Sequence, residues 1–172
     1  MSEPRIRPPA TQSRDPVQSS ALAHQPDLLA AFTRIYGTLW SHGVLDHPTK
    51  EMTRLRNARI TDCSFCRSVR FSKAREDGLS EDLVDEIRDG YAGSAALSAR
   101  QKAALRFTDA FLRDPSRDDP ALRKELLSQF TPEEIVELAA GVALFMGFSK
   151  IAVALGQVPR NMPVTILPTP DH

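Results

Sequence analysis

The chain has 172 residues and a mass of 19.0 kDa, the size of one domain with little room for a second. Its 22 Lys+Arg balance its 22 Asp+Glu, so it lacks the basic field that gathers nucleic acid or anionic lipid. Twenty Ala and 18 Leu against nine Val and seven Ile favour helices over strands, and 41% hydrophobic residues suffice for a core.

Prolines divide the chain. Five of the 13 lie in the first 26 residues and four in the last 14. Residues 1–26 therefore read as a Pro-rich extension, 27–157 as the folded domain and 158–172 as a tail. Arg5, Arg7 and Arg14 precede no apolar run, so the start does not read as a secretory signal, and a cytoplasmic location is expected. His24 and His172 fall in segments expected to be poorly ordered.

The inner prolines Pro48, Pro115, Pro120 and Pro132 suit first helical positions. Thr131 with Glu134 and Ser98 with Gln101 read as capping boxes. Seven helices are predicted, over 27–41, 48–60, 62–77, 80–89, 98–113, 119–129 and 131–156. No segment alternates with period two at useful length, and the one strand candidate is a short extended piece near Pro163–Leu167. The segment Tyr91–Leu97 reads equally as a loop or a lid. The fold class predicted is all-α, a single-domain helical bundle.

Ile135–Leu155 is apolar apart from Glu137, Ser149, Lys150 and small residues. It is long enough to span a membrane, but an acid and a base within it favour a buried core helix. A helix apolar all round needs cover all round, so a partner subunit is expected to complete it.

Both cysteines lie in Asp62-Cys63-Ser64-Phe65-Cys66. A pair so close in sequence staples no distant loops, so chemistry explains it better than stability. With Thr61 or Asp62 as cap, both sulfurs would sit in the first turns of the third helix, where the dipole favours thiolate. At ~100° per residue, Cys63, Cys66 and Arg70 would share one face, and Arg70 would stabilise a Cys66 thiolate. Two inert buried thiols, or zinc completed by His42 or His47, are the alternatives. Without a second CxxC or a His pair, no metal and no other cofactor is predicted.

Glu51 lies 12 residues before Cys63, on the apolar stripe of Leu55 and Ala58. Partial burial there would raise its pKa into the range useful for proton transfer; a dipole-favoured acid at a helix start is the plainer account. His42 and His47 precede the same helix and are candidates for a proton relay. Arg54, Arg56 and Arg59 read as a solvated face, pairing at most across a subunit boundary.

Lys50-Glu51-Met52-Thr53-Arg54-Leu55-Arg56-Asn57-Ala58, then Cys63-x-x-Cys66, then Ala74-Arg75-Glu76-Asp77-Gly78-Leu79-Ser80 resembles the carboxymuconolactone decarboxylase and alkylhydroperoxidase family, most strongly over residues 48–90. The resemblance implies an all-helical subunit assembled as a trimer or hexamer, with the site near a subunit contact. It also implies roles in the peroxidase branch. Cys66 would attack a peroxide, Cys63 would donate a proton and then resolve the sulfenic acid, and Glu51 would belong to the proton relay. The family's histidine position is Arg70 here, and an arginine does not give up its proton. The relay would then shorten to Glu51 and water, or borrow His42 or His47.

The function expected is thus thiol-dependent reduction of a small hydroperoxide or disulfide, with an external dithiol as reductant. A lactone decarboxylase-like lyase, as in the family's other branch, and a non-enzymatic redox-responsive oligomer are the alternatives.

Overall fold

The protein is described as a computed structural model covering residues 4–10, 17–156 and 162–171. Caps set most of its helix boundaries. Pro26 starts α1 (Pro26–Ser41), and the Asp46 carboxylate caps α2 (His47–Ile60) by accepting from Thr49 N–H at 2.8 Å. Ser98 and Gln101 form the capping box of α6 (Ala99–Arg113), as Thr131 and Glu134 do for α8 (Pro132–Leu155). The Asp119 side chain caps α7 (Pro120–Gln129), and Gly156 closes α8 with a left-handed φ of 75°.

The predicted third helix does not form as one piece. Its span holds α3 (Ser64–Ser68), β1 (Val69–Phe71) and α4 (Ser72–Glu76). Val69 and Phe71 suit a strand, and a partner arrives from far along the chain. This is β2 (Thr165–Leu167), parallel to β1 with Val69 opposite Thr165 and Phe71 opposite Leu167. The extended piece near Pro163–Leu167 is therefore real, and it is docked on the domain. After α4 the chain turns at Gly78 (φ 101°), where Leu79 N–H returns to Ala74 C=O at 3.0 Å. The predicted 80–89 helix shortens to α5 (Glu81–Asp85).

α2 is the central element, packed against α6, α8, α3 and α4. Met52 and Leu55 join Ile87 and Leu105 on one side; Ala58 meets the two cysteines on another. Its charged residues are buried too, contrary to the solvated face expected of Arg54 and Arg56. Each charge has found a partner. Lys50 Nζ pairs with Glu137 at 2.8 Å and donates to Leu39 C=O at 2.7 Å, and Arg56 forks onto Asp109 at 2.6 and 2.9 Å. Arg59 is half-buried and donates to Val84 C=O.

Asp109 also accepts from Tyr91 Oη, and burial, then this carboxylate, pushes the Tyr91 phenol up to about 12. The Tyr91–Leu97 segment is thus tied to the domain. α8 buries Leu138, Gly141, Val142, Phe145 and Ser149, a helical stripe facing α2, α6 and α1. By length and composition this helix could cross a membrane, and Val136, Ile151 and Val153 on its other faces are exposed.

Near the chain start, His24 lies in a single 3₁₀ turn, Ala21–His24, with Nε2 2.8 Å from Arg7 C=O. His172 and the boundary at 157/158 lie outside the described residues.

Candidate active site

The loop between α2 and α3 turns on Asp62, whose φ of 53° is left-handed, a conformation Asp tolerates better than most residues. The chain then enters α3 with Cys63 as its cap, not Thr61 or Asp62. Cys66 N–H donates to Cys63 Sγ at 3.3 Å. Cys63 and Cys66 are joined as a disulfide with Cα atoms 5.3 Å apart. Cys63 is fully buried, and Cys66 lines a cavity of about 480 Å³.

That cavity lies between α1, the α3–β1 junction, α8 and the C-terminal segment Leu167–Asp171. Ser149 reaches it from α8 and donates to Cys66 Sγ at 3.4 Å, while Asn57 Nδ2 donates to Ser149 Oγ at 3.0 Å. Both polar residues are buried. A hydroxyl whose lone pair is already taken directs its proton at the sulfur, which favours thiolate once the disulfide is reduced. Nothing in the sequence pattern links positions 57, 66 and 149; only their partners in space do.

Glu51 is fully buried, but the cysteines are not its direct partners. Its two oxygens accept from Arg54 Nε and Nη2, each at 2.7 Å, and Oε1 also accepts from Phe71 N–H at 3.2 Å. Arg54 passes the contact on, donating through Nη1 to Cys66 C=O and through Nη2 to Val69 C=O, both at 2.7 Å. Burial works against the Arg54 charge, but the Glu51 carboxylate outweighs it and holds the pKa above the ordinary arginine value. The cation at the cysteine segment is therefore Arg54, which sequence reasoning had assigned to a surface.

Arg70 does not share a helix face with the cysteines, because α3 ends at Ser68 and Arg70 is the middle residue of β1. Side chains alternate along a strand. Val69 and Phe71 line the cavity, while the Arg70 guanidinium meets Glu81 at 3.0 Å and donates to the carbonyls of Arg67 and Val69. Glu81 in turn binds Arg75 at 2.6 Å.

His47 begins α2 with its ring stacked 6.3 Å from Trp40. Its pKa is lowered by burial and then by the charge of Lys50. His42 is the exposed cap residue at the end of α1. Neither histidine lines the cavity. Among the described residues, no three His, Cys, Asp or Glu side chains gather as a metal site would require.

The helical domain, with its buried CxxC pair beside a cavity, has the alkylhydroperoxidase-like fold of the solved structures it matches. Residues 26–110 match the carboxymuconolactone decarboxylase family, and this segment, which carries Glu51, Cys63 and Cys66, belongs to that family. An uncharacterised Mycobacterium tuberculosis protein, Rv2313c, is 36% identical over 139 residues, covering 80% of this chain and 48% of its own. The chain thus spans about half the length of the relative it matches.

Among solved structures, a Ralstonia eutropha protein described as an alkylhydroperoxidase AhpD core and peroxidase-related is 25% identical. The match has a TM-score of 0.69 and covers 81% of this chain and 74% of that one. A protein of unknown function from Agrobacterium tumefaciens has a TM-score of 0.70 at 23% identity, covering 81% of this chain and 96% of its own, and shows the shared fold.

Proposed function

We propose that the protein is a thiol oxidoreductase that reduces organic hydroperoxides by cycling Cys63 and Cys66 between dithiol and disulfide. One observation carries the reading. The two sulfurs are within bonding reach, and only the Cys66 position borders the cavity, so one thiol meets substrate while the other waits behind it. Family membership and the AhpD description of the Ralstonia neighbour support it.

In the reduced protein, the Cys66 thiolate attacks the outer oxygen of a hydroperoxide. The O–O bond breaks, leaving Cys66–SOH and an alkoxide that takes a proton to become the alcohol. Cys63–SH then attacks the Cys66 sulfur; water leaves and the disulfide forms. An external dithiol supplies two electrons and two protons to reopen it. With no histidine among the described residues that line the cavity and the Glu51 oxygens occupied, the Cys66 proton leaves to solvent. The thiolate is held by the Ser149 hydroxyl and by its place at the start of α3. Arg54 positions the segment through the Cys66 carbonyl.

A cytoplasmic location suits this cycle because dithiols are plentiful there. α8 is buried along one stripe only, and its exposed Val136, Ile151 and Val153 support assembly with further copies of the chain, as a trimer or hexamer.

The test is to reduce the protein, add one equivalent of organic hydroperoxide and weigh the peptides. Loss of two hydrogens across Cys63–Cys66, with one equivalent of alcohol released, is expected. Cys63→Ser should stop at a sulfenic acid trapped by dimedone, and Cys66→Ser should abolish alcohol release. Full activity of Cys66→Ser would refute the reading, as would turnover of a lactone acid that survives alkylation of both thiols.

A further inference from the structure

Phe32, Tyr36, Phe65, Phe71, Phe145 and Phe148 line the cavity beside Cys66, six of the eleven aromatic residues in the chain. Phe32 stacks on Tyr36 at 5.3 Å and on Phe148 at 5.2 Å, whereas Tyr36 meets Phe71 and Phe145 edge-on at 6.4 and 6.2 Å. Stacked and edge-on pairs expose both faces and edges of rings, the two surfaces that a further aromatic ring binds. At about 480 Å³, the cavity falls in the range of small-molecule sites.

The polar groups of the wall narrow the ligand further. Its cation, Arg54, makes four hydrogen bonds, two of them to the Glu51 carboxylate, and is already neutralised. Among the described residues the other charge of the wall, Asp171, is acidic, so an anion would find no unpaired cation among them, and a cationic ligand would enter beside Arg54. The Thr33 hydroxyl is buried in the same wall without a hydrogen-bond partner, and the Ser149 hydroxyl stands at Cys66. Such a wall accepts a neutral ring that carries one small oxygen substituent.

We propose that this cavity binds a neutral aromatic molecule bearing a hydroxyl or hydroperoxyl group, with the ring among the six aromatic side chains and the oxygen toward Cys66. The assignment rests on the thiol-peroxidase reading only for the reacting group. On that reading, the substrate is an aryl-substituted hydroperoxide, and the product left in the cavity is the matching alcohol.

Binding is tested apart from turnover by titrating the full-length disulfide protein calorimetrically with 2-phenyl-2-propanol. Saturable one-to-one binding is expected, with tert-butanol, benzoate and benzylamine each at least tenfold weaker. Thr33→Phe fills the cavity and removes its unpartnered hydroxyl, and should weaken binding at least tenfold. Phe148→Leu keeps the apolar volume without the ring and should weaken it about threefold to tenfold, the value of one aromatic pair. The thermal midpoint of each variant shows that it is folded.

No saturable binding by the wild type, equal affinity for tert-butanol or for either charged ring, or unchanged affinity in both variants would overturn the proposal. Binding as expected, with no turnover of cumene hydroperoxide or tert-butyl hydroperoxide, would refute the peroxidase reading and uphold this site. Equal kcat/KM for the two peroxides without binding of the alcohol would do the reverse.

Discussion

Ser149 donates its hydroxyl to Cys66 Sγ at 3.4 Å across 83 residues of chain, and Asn57 fixes the direction of that bond by donating to the serine oxygen at 3.0 Å. In the pattern that this sequence resembles, a histidine stands at position 70, which is Arg70 here. Here a helix-borne hydroxyl, oriented by a buried amide, stands at the sulfur. A hydroxyl stabilises a thiolate without accepting its proton, so it favours ionisation at equilibrium and leaves proton removal to solvent.

Ser149→Ala removes the donor while changing little volume. The Cys66 titration midpoint should rise. The thiolate fraction at neutral pH should then fall about tenfold, the lower end of what a hydrogen bond to an ion contributes, ~1.5 kcal/mol. Thiolate absorbance against pH in the reduced Cys63→Ser background reads this directly. Asn57→Leu should reproduce part of the effect. An unmoved midpoint in both variants would mean that the contact stabilises the fold and not the ion.

The buried Glu51–Arg54 pair is a second joint between α2 and the cysteine segment. Arg54→Met leaves the Glu51 carboxylate uncompensated, and breaking a buried pair this way costs about 3–5 kcal/mol. Urea unfolding of the full chain should show that loss. Adding Glu51→Gln should restore much of it, because no buried charge then remains. If the double variant is as unstable as the single one, the guanidinium matters for its bonds to the Cys66 and Val69 carbonyls, not for neutralising Glu51.

What the sequence made legible follows from how local each signal is. The caps at Ser98 and Thr131 involve residues three apart, and both form as read. Glu51 and the two cysteines were legible because their spacing is a family pattern. The third helix was misread because β1 exists only by pairing with residues 165–167, which a local pattern does not contain. Arg54 and Arg56 were misread for a related reason: a charge run looks solvated until its partners, Glu51, Asp109 and two carbonyls, are placed. In the sequence Ser149 reads only as a polar interruption of an apolar helix, and its contact with Cys66 appears only when α8 meets α2 and α3.

The strand also changes the expectation for Arg70. A histidine there would face Glu81, on the side of β1 opposite Val69 and Phe71. Arg70→His should therefore leave the peroxide turnover rate unchanged. Stability should fall by roughly 1–3 kcal/mol, as the bonds to Glu81 and two carbonyls are lost. A stopped-flow assay of the first turnover, paired with urea unfolding, checks both. A rate gain in the variant would show that the imidazole reaches the cavity and would overturn the placement argued from the strand.

His47 supplies a pH dependence. Its folded pKa lies below the ordinary value of 6.5, because burial, followed by the Lys50 charge, disfavours the imidazolium. Between the folded and unfolded values the unfolded chain binds more protons, so stability decreases as pH falls below 6.5, and the decrease is complete once pH passes below the folded value. Thermal unfolding at a series of pH values from 7.5 to about 5 should show this slope. His47→Phe, which keeps the stacking surface on Trp40, should flatten it. A slope unchanged in that variant would assign the acid sensitivity to another group.

The C-terminal segment is part of the site. β2 pairs with β1, Thr169 Oγ1 accepts from Lys73 N–H at 3.0 Å, Ser41 Oγ donates to Pro170 C=O, and Leu167–Asp171 form one wall of the cavity. A chain ended after Pro163 should keep its helices, since α2, α6 and α8 pack without it. It should lose that wall and leave the β1 edge unpaired. Cys66 of the reduced, truncated protein should then react with iodoacetamide several times faster than in the full chain, and 2-phenyl-2-propanol should no longer bind. Unchanged alkylation and binding would mean that the helices alone enclose the sulfur, and that the last residues only cover a surface.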